Sequence, residues 1–278
     1  MPINQLHKLL SEGNVVVLTG AGISTESGIP DYRGPSGSLQ RNHQPMTYQT
    51  FLRDPFGRKR YWARSHLGWE YISNVQPNQG HIALAQLEQQ GLIKGLITQN
   101  VDGLHQAAGS QNVIDLHGRL DRVTCLSCAK TWHRSEIQVL LAQANTHWTA
   151  QATTFNPDGD ADLTEAEVHS FQEVACDVCD GILKPDVVYF GENVPAPRVQ
   201  QSYELFDGAR ALLILGSTLT VFSGRRFAVH AHKQAIPIAI VNDGPTRADD
   251  IAALKLERSL GQTLASVAQL FNGNYTNA

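Results

Sequence analysis

Val15-Val16-Val17-Leu18-Thr19-Gly20-Ala21-Gly22-Ile23-Ser24 is the stretch that decides the fold. A β-branched apolar run without polar alternation indicates a strand covered on both faces, as in a parallel sheet. The glycine turn that follows, opening into a helix, presents backbone N–H groups to an anion. Similar apolar runs occupy residues 92–97, 113–116, 187–190, 211–215 and 236–241. Helical patterns at 81–90, 197–207, 224–234 and 263–271 separate or follow them, and a short helix over 1–13 precedes the first strand. Strands alternating with helices at crossover lengths predict an α/β fold, a doubly wound parallel sheet of Rossmann-like type.

Two stretches break that rhythm. Residues 35–77 are aromatic and basic, and residues 120–183 carry all four cysteines. Both are expected as insertions, a helical one at 35–77 and a small lobe at 120–183. The sheet domain is left with 1–34, 78–119 and 184–278. The run Arg58-Lys59-Arg60 with Arg64 reads as a solvated helix face.

With 42% hydrophobic and 17% charged residues the chain can bury a sizeable core. A formal charge of −4 provides no basic footprint for nucleic acid. Residues 15–18 are too short for the apolar region of a signal peptide, and nothing approaches the roughly 20 apolar residues that span a bilayer. The expectation is a cytoplasmic, soluble monomer with no nucleic-acid or membrane partner.

In such a chain cysteines point to metal before disulfides. Cys125-x-x-Cys128 and Cys176-x-x-Cys179, separated by 47 residues, form two chelating knuckles, and four thiolates close a tetrahedral site to water. One structural Zn²⁺ per chain is expected. The acidic stretch Asp158-Gly159-Asp160-Ala161-Asp162 is not a calcium loop, because the sixth and twelfth positions are Leu163 and His169. Thr164 and Glu167 read instead as a capping box.

The glycine loop has G-x-G-x-x-x-x-x-G spacing through Gly28, unlike the dehydrogenase G-x-G-x-x-G. Gly216-Ser217-Thr218 and Asn242-Asp243-Gly244 follow two further strands, the first suited to phosphates and the second to an adenosine ribose. Three strand ends with compatible groups predict a dinucleotide. Thr98-Gln99-Asn100-Val101-Asp102, followed fifteen residues later by His117-Gly118, adds an amide, a carboxylate and an imidazole at strand ends, where ligands bind in open α/β sheets.

With these motifs the chain resembles the sirtuins, the NAD-dependent protein deacylases, from Gly20 to Gly244 at least. The resemblance also rests on Gly28-Ile29-Pro30-Asp31-Tyr32-Arg33, Leu116-His117-Gly118 and Lys184-Pro185-Asp186-Val187-Val188-Tyr189-Phe190-Gly191-Glu192. Arg60-Tyr61-Trp62-Ala63-Arg64 and the long cysteine spacer look like the class II branch, which includes the mitochondrial sirtuin four. The absence of a presequence looks more like a bacterial member. In that family the acyl-lysine oxygen attacks C1′ of the nicotinamide ribose, nicotinamide leaves, and the acyl group departs as O-acyl-ADP-ribose.

The resemblance implies His117 as general base, with Asn100 and Asp102 at the nicotinamide ribose and carboxamide. Gln99 and Val101 join them in the NAD site. Gly20, Ala21, Gly22, Ser24 and Arg33 are implied near the phosphates, with Asp31 and Tyr32 in the cofactor loop, where Tyr32 replaces the usual Phe. Gly216, Ser217, Thr218, Asn242, Asp243, Gly244 and Leu260 complete the cofactor set. Val187, Val188, Tyr189, Phe190 and Gly191 match the segment that pairs with substrate backbone. Tyr61 and Arg64 have the Y-x-x-R spacing that reads acidic acyl groups in desuccinylating sirtuins, and packing in the helical insertion is the competing reading. Acyl-lysine proteins or peptides are the implied partners. Mono-ADP-ribosyl transfer is the alternative activity, and an NAD-sensing zinc interaction module the non-enzymatic one. A dehydrogenase is disfavoured by the loop spacing.

Overall fold

The computed structural model describes residues 2–34, 37, 45–151, 156, 161 and 163–272. Its strands are β1 (Val15–Thr19), β2 (Ile93–Thr98), β3 (Val113–Asp115), β4 (Gly118–Cys125), β5 (Thr131–His133), β6 (Leu183–Val187), β7 (Ala211–Leu215), β8 (Ile238–Val241) and β9 (Leu254–Leu256). Its helices are α1 (Pro2–Ser11), α2 (Tyr48–Arg53), α3 (Pro55–Ile72), α4 (Gln79–Gln89), α5 (Leu104–Ala107), α6 (Arg134–Ala144), α7 (Glu165–Ser170), α8 (Ala196–Glu204), α9 (Phe222–Lys233) and α10 (Leu260–Asn272).

β1 lies at the centre of a six-stranded sheet ordered β3-β2-β1-β7-β8-β9, all parallel. Side chains alternate across a strand, and here both faces are apolar. Val15 and Val17 pack with Leu6 and Leu10 of α1, Leu84 and Leu87 of α4, and Leu264 and Val267 of α10. Val16 and Leu18 pack on the opposite face with Phe227, Ala228 and Ala231 of α9 and with Leu205 and Phe206. This two-sided burial explains the absence of polar alternation and bears out the doubly wound α/β reading. The chain runs outward from β1 to β3 on one side and from β7 to β9 on the other, so the switch point lies between β1 and β7, where such sheets bind ligands.

The second sheet is antiparallel, ordered β5-β4-β6. With α2, α3 and α6 it encloses its own core, including Phe51, Trp62, Ile137, Leu141 and Phe171. The expected parallel strand over 187–190 is corrected here. The strand is β6, and it pairs antiparallel with β4. Leu183-Lys184-Pro185-Asp186-Val187 alternates apolar and charged residues, which suits an antiparallel strand better than the parallel core. Pro185 is tolerated because β6 is an edge strand. β9, Leu-Lys-Leu, carried too short a pattern to read; its Lys255 is paired to Asp249 at 2.7 Å and Glu257 at 2.8 Å.

The Thr164 capping box is present, with Glu167 Oε2 accepting from Thr164 N at 2.8 Å. The rejected calcium loop falls mostly on residues 158–160 and 162, outside the described residues. Arg58, expected on a solvated face, instead pairs with Glu173 at 3.3 Å and ties α3 to the small lobe.

Candidate functional site

A cavity of about 910 Å³ opens at the carboxyl ends of β1, β2, β7 and β8, beneath the small lobe. Every residue assigned to the cofactor from sequence lines it, from Gly20 on the first loop to Leu260 at the start of α10, and so does His117. Its glycines serve close approach between the loops after β1 and β7. Gly20 N donates to Leu215 O at 3.0 Å and Gly22 N to Gly216 O at 2.9 Å. A Cβ on Gly216 would sit 2.6 Å from Ile23 N, and its φ is +59°. Gly216→Ala is expected to force the two loops apart, destabilising by roughly 1–3 kcal/mol and weakening ADP-ribose binding, read by thermal melting and calorimetry. The helix into which the first loop opens is a 3₁₀ segment, Ala21–Ser27.

The polar groups after β2 are interlocked. Asn100 Nδ2 donates to Ser24 Oγ at 3.0 Å, and Ser24 Oγ donates to Asp102 Oδ2 at 2.7 Å. The other carboxylate oxygen accepts Leu104 N at 2.9 Å, so Asp102 also caps the first turn of α5. Ser24, assigned to the phosphate side, is thus a buried bridge between the amide and the acid. Burial pushes the Asp102 carboxyl up, against the pull of the Leu104 N–H, the Ser24 hydroxyl, Arg119 and Asn100.

Behind these residues a buried relay fixes the strand ends. Thr19 Oγ1 donates to Thr98 Oγ1 at 2.8 Å, so His105 Nε2–H is the donor in its 2.9 Å contact with Thr19 Oγ1. Thr98 Oγ1 also accepts Asn100 N at 3.1 Å, which sets the backbone of the amide residue. Burial lowers His105 to a pKa of about 3 and its neighbour His81 to about 4.

His117 sits between β3 and β4, on the cavity wall. Its Nδ1 lies 2.9 Å from Gln99 O, and since a carbonyl only accepts, Nδ1 carries the proton. Nε2 is then a lone pair, 2.8 Å from Ser223 Oγ. Burial lowers the pKa to about 4, opposed by the Gln99 carbonyl and assisted by Arg198 and Arg226. The imidazole is neutral at ordinary pH. Gln99 meanwhile donates through Nε2 to Ser217 Oγ at 2.7 Å, joining the residue that holds His117 to the loop after β7.

Val187, Val188, Tyr189 and Phe190 line the cavity beside His117, and Val188 N donates to His117 O at 2.8 Å. Gly191 is not among the lining residues; it holds φ +78° at the end of the segment. Tyr61 reaches the wall from within an aromatic cluster with Phe51, Trp62 and Tyr189. Arg64 does not line the cavity, and its Nε donates to Ala161 O at 2.5 Å. Sequence reasoning missed Ser223 and two residues of the cavity wall, Glu26 and Ser259. Glu26 Oε1 accepts Ser259 Oγ at 2.9 Å and Gly261 N at 3.1 Å, clamping α10 to the first loop. Only the five-residue distance of Ser223 from Thr218 hinted at its place.

The four cysteines converge, with all sulfurs within 4.8 Å of one another. Cys125 and Cys179 sulfurs are 3.6 Å apart, and Cys128 and Cys176 sulfurs 3.7 Å apart. Zn–S bonds of about 2.3 Å in a tetrahedron require S–S edges of about 3.8 Å, so the donor set fits zinc. Cys125 Sγ accepts from Cys128 N at 3.5 Å and Ser127 N at 3.4 Å. These donors hold the Cys125 thiol below its usual range, which favours the thiolate a metal binds. Ala129 at φ +59° and Asp180 at φ +54° close the two knuckles in the same left-handed conformation.

A profile of the Sir2 family matches residues 20–223. NAD-dependent protein deacetylase 1 of Streptomyces coelicolor is 55% identical over 259 residues, covering 93% of this chain and 86% of its own length. A solved structure of a Sir2 protein with p53 peptide and NAD⁺ is 31% identical, covers 98% of this chain and 99% of that one, and has a TM-score of 0.77. A second, with deacetylated p53 peptide and 3′-O-acetyl-ADP-ribose, is 31% identical, covers 97% and 98%, and has a TM-score of 0.78.

Proposed function

The chain belongs to the Sir2 family, and on that premise we propose that it is an NAD-dependent protein-lysine deacetylase releasing nicotinamide, free lysine and O-acetyl-ADP-ribose. The observation that carries the reading is the neutral His117, with its Nε2 lone pair at the wall of a dinucleotide-sized cavity. NAD, when bound, supplies a ribose carbon that becomes electrophilic as nicotinamide leaves, together with the hydroxyls that receive the acetyl group. The chain's own residues do the rest. His117 Nε2 takes up a proton, and the imidazolium so formed keeps its Nδ1–H on Gln99 O. The Asn100–Ser24–Asp102 chain holds an amide and a carboxylate in fixed orientation for the nicotinamide end of the site. Ser217, Thr218 and the backbone around Gly20 and Gly22 suit the phosphates, and Asn242 to Gly244 the adenosine ribose. Zinc, held by the four cysteines, has a structural role, since four thiolates leave no open position. The small lobe and the segment 187–190 form the other wall, against which an acyl-lysine peptide lies.

The Arg60-Tyr61-Trp62-Ala63-Arg64 run and the long cysteine spacer support a place in the class II branch. For the acyl group, the bond from Arg64 to Ala161 O and the packing of Tyr61 among aromatic rings favour a packing role for both residues over a carboxylate fork. Arg64→Ala is therefore expected to leave the ratio of succinyl- to acetyl-peptide turnover within about twofold of the parent. A selective loss of succinyl turnover would restore the acidic-acyl reading. The activity itself is tested by following nicotinamide and acetyl-lysine together. One nicotinamide released per acetyl group lost is expected, and acetyl loss without NAD would overturn the proposal.

A further inference from the structure

Ser223 is the second residue of α9, and none of the roles above involves it. Its hydroxyl lies 2.8 Å from His117 Nε2, on the side of the ring opposite the Gln99 carbonyl. Because Nδ1 gives its proton to a carbonyl, Nε2 can only accept, and Ser223 Oγ–H is the donor. The first turn of α9 is pressed against the same unit. A Cβ on the next residue, Gly224, would lie 2.5 Å from Gln99 Oε1, so only glycine lets the helix approach this closely. Gln99 in turn is bonded to Ser217. The loop after β7 and the start of α9 thus contact Gln99 and His117 at three points: Ser217, Ser223 and Gly224.

We propose that Ser223 is a positioning residue for the acyl-transfer step. With Gln99 O it pins both nitrogens of His117, selecting one tautomer and one of the two ring flips before substrate arrives, and the Ser223 hydroxyl releases Nε2 when the substrate hydroxyl takes its place there. A half-turn of the ring would exchange both nitrogens for carbons and lose both bonds, and the other tautomer would set Nδ1 without a proton against a carbonyl. With Ser223 removed, only the Gln99 bond opposes these states. The inference rests on the reading of His117 as the base, and its test separates the two.

In ligand-free protein labelled with ¹⁵N, the His117 ring resonances are identified as those missing from His117→Phe. The parent is expected to show the Nδ1–H tautomer with a hydrogen-bonded Nε2, and Ser223→Ala to shift Nε2 toward the position of a free lone pair. Deacetylation kcat is expected to fall about tenfold in Ser223→Ala, the scale of one lost hydrogen bond, with KM for NAD unchanged within about twofold. Ser223→Thr, which keeps the hydroxyl, is expected to restore both the resonance and kcat. An Nε2 resonance and a kcat that are the same in parent and Ser223→Ala would overturn the proposal, as would a Thr variant that folds and behaves like the Ala variant. Should His117→Phe retain deacetylation, the base reading fails, and with it the role of Ser223 in catalysis.

Discussion

His117→Ala is expected to lower deacetylation turnover by about a hundred- to ten-thousandfold, the usual contribution of a positioned general base, while leaving the fold intact. The ring lies at a cavity wall between two strands rather than inside either hydrophobic core, so its removal opens no apolar void. Circular dichroism and thermal melting check the fold. The pH dependence follows from the same burial. With its pKa lowered to about 4, His117 stays neutral above about pH 5, and no activity limb near pH 6.5 is expected from it in the free enzyme. Stability behaves differently. His81, His105 and His117 all have folded pKa values below the ordinary 6.5, so the unfolded chain binds these protons first. Their contribution to stability is complete above pH 6.5 and is lost as pH falls from there through about 3. Melting temperatures measured across that window should decline steadily, and a flat profile would contradict the buried neutral imidazoles.

Loss of the metal is expected to have an effect of similar size by a different route. Cys125 and Cys176 are buried members of the small-lobe core, which includes Val123, Leu183 and Val187 of β4 and β6. β4 begins at Gly118, immediately after His117, and Gly118 pairs with Val187. Val188 N is bonded to His117 O. Zinc removal therefore loosens the sheet that holds the backbone of His117 on its outer side. Cys176→Ser is expected to leave less than one zinc per chain by elemental analysis, to lose near-ultraviolet signal from the lobe's tryptophans, and to abolish deacetylation. The six-stranded sheet has separate cores and should retain its far-ultraviolet signal. A zinc-free variant with parental activity would contradict the structural role.

The parallel sheet was legible because Val15 to Leu18 and residues 211–215 are apolar on both faces, a pattern with few other solutions. The cysteine pairs were legible because chelation imposes spacing within each knuckle. Strand β6 was harder to place because its charged positions are not all solvated: Lys184 is buried, and its ammonium is paired with Glu192 at 3.0 Å, a residue outside the strand. Leu254–Leu256 is too short to carry a period. Ser223 was invisible for another reason. Its partner is 106 residues away, and a serine in the first turn of a helix is otherwise an ordinary helix-start residue. The position of Arg64 depends likewise on Ala161, a contact no local pattern reports.

The most direct test of the account is the fate of the acetyl group. The protein is incubated with NAD and a peptide carrying ¹³C-labelled acetyl-lysine, and the products are resolved by mass. Label recovered on ADP-ribose, in equal amount to nicotinamide and deacetylated peptide, is the predicted result. Label retained on a peptide that has gained ADP-ribose, or released as free acetate with NAD intact, would contradict it.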